Sequence, residues 1–475
     1  MPSFDRRSFL GWIASLPLWR GGGNAPQPPP PGVEVRPTAL YQQPDGRKNL
    51  VRITVAGLSA PAARARVTDR RGALVGTAGL LPLGAGLTLT GEVWVPLSEP
   101  ADFQVDIEVG KDRAARQRVR LTPPKRWTLH WLSSIHTDVG YTDLQENALE
   151  VHRKNLDAAL AWLPTHPDYR FTAECALQVL SYVENRPPEA GDALVRAIQG
   201  GKIGFEALFA NMLTGILDHD TLARVVWPAG RLARERGLGY AAAQITDVPG
   251  QTLTFPMMLA ASGVKYLASG ANPERAAPLL PPPDGSTQYP QVYYWEGPDG
   301  SRVLHWRAHH YGDATKFGFG IGPEEMGRRL SDWLLGHPVF LSRDWPYDMA
   351  LLYGADWQDN APMKEQLVTN MEEFNRRYAF PRIVPGRAEE FFRELERRHG
   401  PRIPVKRGDT GLYWEDGAAS TAAELAAFRS AQLAARAAEI VALWDDRLGV
   451  KGQVEERRTM WRDLLLFGEH TGART

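Results

Sequence analysis

The chain has 475 residues, enough for about three domains or one large domain with additions. Lys+Arg 55 balances Asp+Glu 55, which argues against a general nucleic-acid binder, with its basic excess, and against an acidic disordered chain. A lone cysteine, Cys175, excludes an internal disulfide and every Cys-based zinc motif, so any metal must be held by His, Asp and Glu.

Residues 1–31 read as an export signal and linker. Arg6-Arg7-Ser8-Phe9-Leu10 precedes an apolar stretch of about a dozen residues, too short to span a membrane. This start resembles a bacterial twin-arginine signal, and the expected destination is the periplasm or the exterior. Gly- and Pro-rich residues 21–32 follow as a linker. No later segment is long and apolar enough for a membrane span.

Residues 32–124 carry short alternating runs such as Leu50–Val55, Thr90–Val95 and Phe103–Val109, with Pro44-Asp45-Gly46 and Arg71-Gly72 as turns. That pattern predicts an antiparallel β-sandwich. At Lys125 the texture changes. Residues 127–134 form a mostly apolar run, as a buried parallel strand would. Helical and strand-like segments then alternate to about residue 405, which predicts an α/β catalytic domain with a parallel, barrel-like (β/α) sheet. In residues 406–475, Thr421–Leu443 and Val454–Phe467 have helical spacing and predict part of a helical bundle.

Four clusters carry candidate chemistry. His136-Thr137-Asp138 follows the run at 127–134, and both side chains share a face if the strand stays extended. Asp247 ends the segment Ala241–Thr246, with Pro249-Gly250 turning the chain after it. Asp356 and Asp359 follow the apolar strand 349–353, where an acid catalyst would sit. Glu469-His470 closes the last apolar helix. Taken singly, each also reads as a capping or loop residue.

In order and context, this set resembles the catalytic domain of glycoside hydrolase family 38, the zinc-dependent α-mannosidases. The match is carried by His136-Thr137-Asp138, by Thr246-Asp247-Val248-Pro249-Gly250, by Gly354-Ala355-Asp356 and by Glu469-His470. Phe171–Glu174, Gly201–Glu206 and Tyr294–Ser301 support it. The resemblance covers about residues 125–475 and departs at named positions. Tyr141 stands where the family usually has Trp, and Ala355 stands where an aspartate is usual. Gln251 and Glu469-His470-Thr471 also replace family residues. Family members usually continue with a β-rich region, so this chain reads as a minimal variant or a truncated frame.

The resemblance implies one zinc ion held by His136, Asp138, Asp247 and His470. Asp247 would also be the nucleophile and Asp356 the general acid/base of a retaining reaction on a carbohydrate. Tyr141, Trp357, Trp414 and His309 are candidate sugar contacts, and Asp143 and Glu174 candidate supports. Two other readings stay open: a non-catalytic carbohydrate-binding remnant, and a metal-dependent polysaccharide deacetylase. The oligomeric state is not legible.

Overall fold

The computed structural model describes residues 31–84, 86–272, 291–308, 310–341, 345–410, 418, 420–447 and 454–472. The signal and linker reading, His309 and Trp414 therefore fall outside the described residues. The chain divides into two compact units. One takes the described residues up to Val35 together with Ile53–Glu92 and Phe103–Val119. The other takes Arg36–Arg52, Val93–Asp102 and Arg120 onward.

Among the described residues seven strands precede residue 122: β1 (Gly32–Gln42), β2 (Lys48–Ala56), β3 (Ala63–Asp69), β4 (Leu74–Pro82), β5 (Thr88–Pro96), β6 (Ala101–Val109) and β7 (Asp112–Leu121). In the first unit β3 pairs antiparallel with β4 and with β6, in register from Arg64↔Glu108 to Asp69↔Phe103. Phe103, Val105 and Ile107 are buried while the residues between them are not, which is the period-two pattern of a strand with one wet face. The antiparallel character matches the expectation. These pairings do not resolve the two facing sheets of a sandwich.

The second unit is built on parallel strands. β8 (Thr128–Leu132) lies between β15 (Met349–Tyr353) and β17 (Arg382–Pro385), parallel to both. β9 (Phe171–Ala173) and β10 (Ile203–Phe205) form a parallel pair. β11 (Ala242–Asp247), β12 (Tyr266–Ala271) and β14 (Arg302–Ala308) run parallel, and β13 (Gln291–Glu296) joins β14 antiparallel. β16 (Tyr378–Phe380) pairs with β1, and β18 (Val405–Arg407) with β13. The expected barrel is corrected here. Among the described residues the parallel strands fall into three sheets and no ladder closes them into a ring. Single backbone hydrogen bonds bridge the gaps, Thr172 N to Ser133 O at 2.8 Å and Ala207 N to Ala242 O at 3.0 Å.

Helices cover the strands, and β11 and β15 are buried at every residue; β15 is accordingly a continuous apolar run, while β11 buries the polar Gln244, Thr246 and Asp247 as well. The C-terminal helices are Ala422–Arg447 and Val454–Phe467. Among the described residues no helix is long and apolar enough to cross a membrane.

One buried carboxyl sets a pH dependence for this unit. Burial pushes Glu206 up to about 8, with Glu389 adding and Arg387 opposing. In the unfolded chain the group has an ordinary carboxyl pKa, so the folded state binds the extra proton between the two values. This contribution to stability is full at low pH and is lost as pH rises through about 8. Glu206→Gln removes the titration. The variant should gain on the wild type with rising pH, from little at pH 4.5 to on the order of 3 kcal/mol at pH 8. Denaturant melts of both proteins at the two pH values measure this, and a constant difference would reject it.

Candidate metal centre and active site

The carboxyl ends of the parallel strands carry the polar residues, as expected where helices close off the other surfaces. β8 ends at Leu132, so strand alternation does not aim His136 and Asp138; the loop after it does. His136 Nε2 and Asp138 Oδ1 come within 3.1 Å, and His470 Nε2 lies 3.1 Å from the same oxygen. Asp247 Oδ2 is 3.4 Å from His470 Nε2. All four side chains are buried.

Asp247 is the last residue of β11 and has φ 68°, a left-handed backbone that aspartate tolerates better than most residues. The next helix, Phe255–Ala261, begins after Thr254, so Asp247 caps nothing. His470 arrives from the other end of the chain. Its N–H donates to Asn211 O at 2.8 Å, and Leu213 N–H donates to Gly468 O at 2.9 Å, which staples the end of the last helix to the loop after β10.

Each imidazole is held from behind by a fully buried carboxylate. Glu174 Oε1 lies 3.2 Å from His136 Nδ1, and Glu469 Oε1 makes a short contact with His470 Nδ1. An ionised carboxylate only accepts, so Nδ1 holds a proton whether the ring is neutral or charged, and Nε2 is the nitrogen that a neutral ring offers to a cation. Glu174 also accepts from Thr137 N at 2.8 Å and from Asn211 Nδ2 at 2.9 Å. Glu469 accepts from Thr471 N at 3.0 Å, and the Thr471 hydroxyl accepts from Val139 N and Gly140 N at 3.0 Å.

The atoms facing inward have no such partners. His136 Nε2, His470 Nε2, Asp138 Oδ1 and Asp247 Oδ1 are all buried without a hydrogen bond. Lone pairs gathered in this way fit a divalent cation, and His136, Asp247 and His470 each bring a ligand atom within 4.8 Å of the others. A second such group is His136, Asp138 and Asp359. The electrostatics agree. Burial works against the charged imidazoles, yet Glu174 and Asp138 hold His136 well above its ordinary pKa, and Glu469, Asp138 and Asp247 do the same for His470. Burial likewise opposes ionised Asp138 and Asp247, but the two histidines keep both below the ordinary range. Negative charge in excess at this point calls for protons or a cation.

The two aspartates after β15 part company. Asp356 Oδ2 is paired with Lys364 Nζ at 2.8 Å, and Asp356 belongs to neither ligand group. Asp359 turns into the cluster and accepts from the Tyr311 hydroxyl at 3.1 Å. Burial raises the Asp359 carboxyl, with His136 opposing and Asp138 and Asp247 adding. Gly354, at φ 79°, permits this turn: a Cβ there would sit 1.7 Å from Tyr311 O.

Of the proposed sugar contacts, Tyr141 and Trp357 are 59% and 53% exposed, so both are available as ring platforms. A row of rings connects Trp357 to the cluster. Trp357 and His310 lie 6.4 Å apart, His310 stacks on Tyr311 at 4.6 Å, and Tyr311 meets His136 at 4.9 Å. Asp143 faces solvent and accepts from Asn147 and Leu144, so it has a local role in the loop.

Two residues of this site go unmarked in the sequence reading. Tyr311, between His136 and Asp359, is the first. Asn211 accepts from Thr246 N at 2.8 Å through Oδ1, donates to Glu174 and takes the His470 N–H, so one side chain and its carbonyl tie three parts of the site together. Its only signal is a single polar residue inside the apolar run Leu208–Leu213.

The model for the glycosyl hydrolases family 38 N-terminal domain matches residues 126–416, well over half of the chain. No curated protein matches the sequence. Among solved structures, an α-mannosidase from Enterococcus faecalis V583 superposes with a TM-score of 0.59 at 16% identity, covering 74% of this chain and 39% of that one. A family 38 protein from Enterococcus faecalis gives 0.50 at 12% identity, covering 73% and 36%. The chain thus spans well under half the length of either, and at these identities the likeness is one of fold. The family is generally metal dependent and acts on carbohydrate, which agrees with the ligand set above. The chain belongs to glycoside hydrolase family 38.

Proposed function

We propose that the chain is an exported, zinc-dependent retaining glycoside hydrolase with α-mannosidase-like specificity. The observation that carries this reading is the convergence of two imidazole Nε2 atoms and two aspartate oxygens, all buried and none hydrogen-bonded. A mixed N/O set of this kind suits zinc. His136, Asp138, Asp247 and His470 would hold the ion, which when bound supplies a Lewis acid for sugar hydroxyls.

The chain's own residues would do the rest. Asp247 has one oxygen toward His470 and the other without a hydrogen-bond partner, so a single carboxylate offers both a ligand atom and an attacking atom. Its free oxygen would bond to the anomeric carbon as the glycosidic C–O bond breaks. An acid would give its proton to the leaving oxygen, then take one from the water that releases the sugar from Asp247. The motif assigns the acid to Asp356. The geometry favours Asp359 as the competitor, since Asp356 is engaged with Lys364 and Asp359 is in the cluster. Comparing Asp356→Asn with Asp359→Asn on good and poor leaving groups separates them. The true acid should cost poor leaving groups about 10²-fold or more and good ones far less.

The first test is metal content after dialysis, paired with hydrolysis of an aryl α-mannoside. About one zinc per chain and zinc-restored turnover support the reading. Metal with acetate release and no glycosidic cleavage favours a deacetylase. Sugar binding without turnover at saturating zinc favours a non-catalytic remnant.

A further inference from the structure

Helices Ala176–Asn185, Trp227–Arg236 and Val454–Phe467 enclose a cavity of about 470 Å³ that shares no residue with the metal cluster. Its charge is lopsided: six arginines line it against three glutamates, with no lysine or aspartate. The glutamates are already engaged. Glu184 pairs with Arg462 at 2.9 Å, Glu455 with Arg458 in a short contact, and Glu439 takes the Trp461 indole N–H at 2.7 Å with Arg457 3.6 Å away.

That leaves Arg224, Arg231 and Arg234, of which Arg231 reaches only Glu235, outside the cavity lining, at 3.9 Å. Trp227, Arg231 and Arg234 recur at spacings of four and three along the helix Trp227–Arg236, and Arg224 ends the short helix His219–Arg224 before it. The Arg224 guanidinium sits between two indoles, 4.2 Å from the Trp227 ring and 3.8 Å from that of Trp461. Its Nε is buried without a hydrogen-bond partner, with Asp220 at 3.5 Å and Glu439 at 3.8 Å the nearest carboxylates. Trp227 is nevertheless 56% exposed. An exposed indole beside guanidinium groups with only long carboxylate contacts matches a ligand with a flat apolar face and a planar or tetrahedral anion.

We propose that this cavity is a second carbohydrate site, selective for acidic saccharides. One pyranose face would lie on Trp227, and its carboxylate, sulfate or phosphate would meet Arg224, Arg231 and Arg234. The volume lies within the usual small-molecule range of about 300–1,000 Å³. The site is separate from the hydrolytic one, since it shares no residue with the metal cluster.

Calorimetric titration of the full chain tests it, with a galacturonate tetramer, a sulfated tetrasaccharide, mannotetraose and a polyglutamate peptide as probes. At least one acidic saccharide should bind, weakening with added salt, while mannotetraose and polyglutamate should bind at least tenfold more weakly at this site. Which acidic probe binds distinguishes a carboxylate from a sulfate. Trp227→Ala and the pair Arg231→Gln/Arg234→Gln should each lower that affinity about tenfold or more. Both changes are at the surface, and aryl mannoside turnover should be unaltered in each. Failure of both acidic probes to bind overturns the proposal. So does binding that ignores these substitutions, or polyglutamate binding equal to that of the sugars.

Discussion

Asp247→Asn should abolish hydrolysis while leaving the fold intact. Asparagine has the same shape and also accepts the left-handed backbone found at φ 68°, so the loop after β11 has no reason to move. The amide is neutral and a poor nucleophile. Loss of an attacking group of this kind costs about 10³-fold or more in kcat/KM. The same change removes one negative charge from among Asp138, Asp359 and the two histidines, so metal affinity should fall as well. Single-turnover kinetics and a competitive chelator titration, run on a variant whose melting curve matches the wild type, measure both effects. Hydrolysis within tenfold of wild type would mean that another group attacks.

Glu174→Gln should weaken metal binding about 10- to 100-fold without touching a ligand. The carboxylate fixes which nitrogen of His136 carries the proton and keeps Nε2 free. A glutamine can turn its amide N–H toward Nδ1, which favours the opposite tautomer and spoils the lone pair facing the cluster. In that orientation its carbonyl oxygen still accepts from Thr137 and Asn211, so those two donors favour it. The loss should appear as a weaker zinc constant with kcat largely recovered at saturating zinc. An unchanged zinc constant would show that Glu174 is a packing residue only.

Where local pattern decides structure, reading and structure agree closely. The strand 349–353 and the helix Val454–Phe467 have the bounds read from the apolar run and the helical period. The long helix ends at Arg447 rather than Leu443, since nothing in Trp444 to Arg447 breaks it. The strand after Lys125 is shorter than its apolar run because Ser133 and Ser134 give their carbonyls to Thr172 and Ala355. Non-local matters were harder to read. Whether Asp356 or Asp359 faces the cluster depends on a turn with positive φ at Gly354 and Asn360, and on Tyr311 arriving from another strand. The site partners of Asn211 (Glu174, Thr246 and His470) and of Tyr311 (His136 and Asp359) are all far away in the chain, so no spacing could reveal them. Closure of the parallel strands into a ring is likewise a property of their splay, which composition does not encode.

His136 and His470 are about 330 residues apart in the chain, yet their ring centroids are 5.2 Å apart. A cation shared by them would cross-link nearly the whole second unit into one loop and withdraw that loop's entropy from the unfolded ensemble. By mass action the folded chain would then gain about 4 kcal/mol at a free-ion concentration a thousandfold above the dissociation constant. In a compartment poor in the ion, the last helix would be the first part to come loose, because its tip is anchored by the site it completes. Metal supply would thereby govern how long the protein survives proteolysis as well as whether it can turn over.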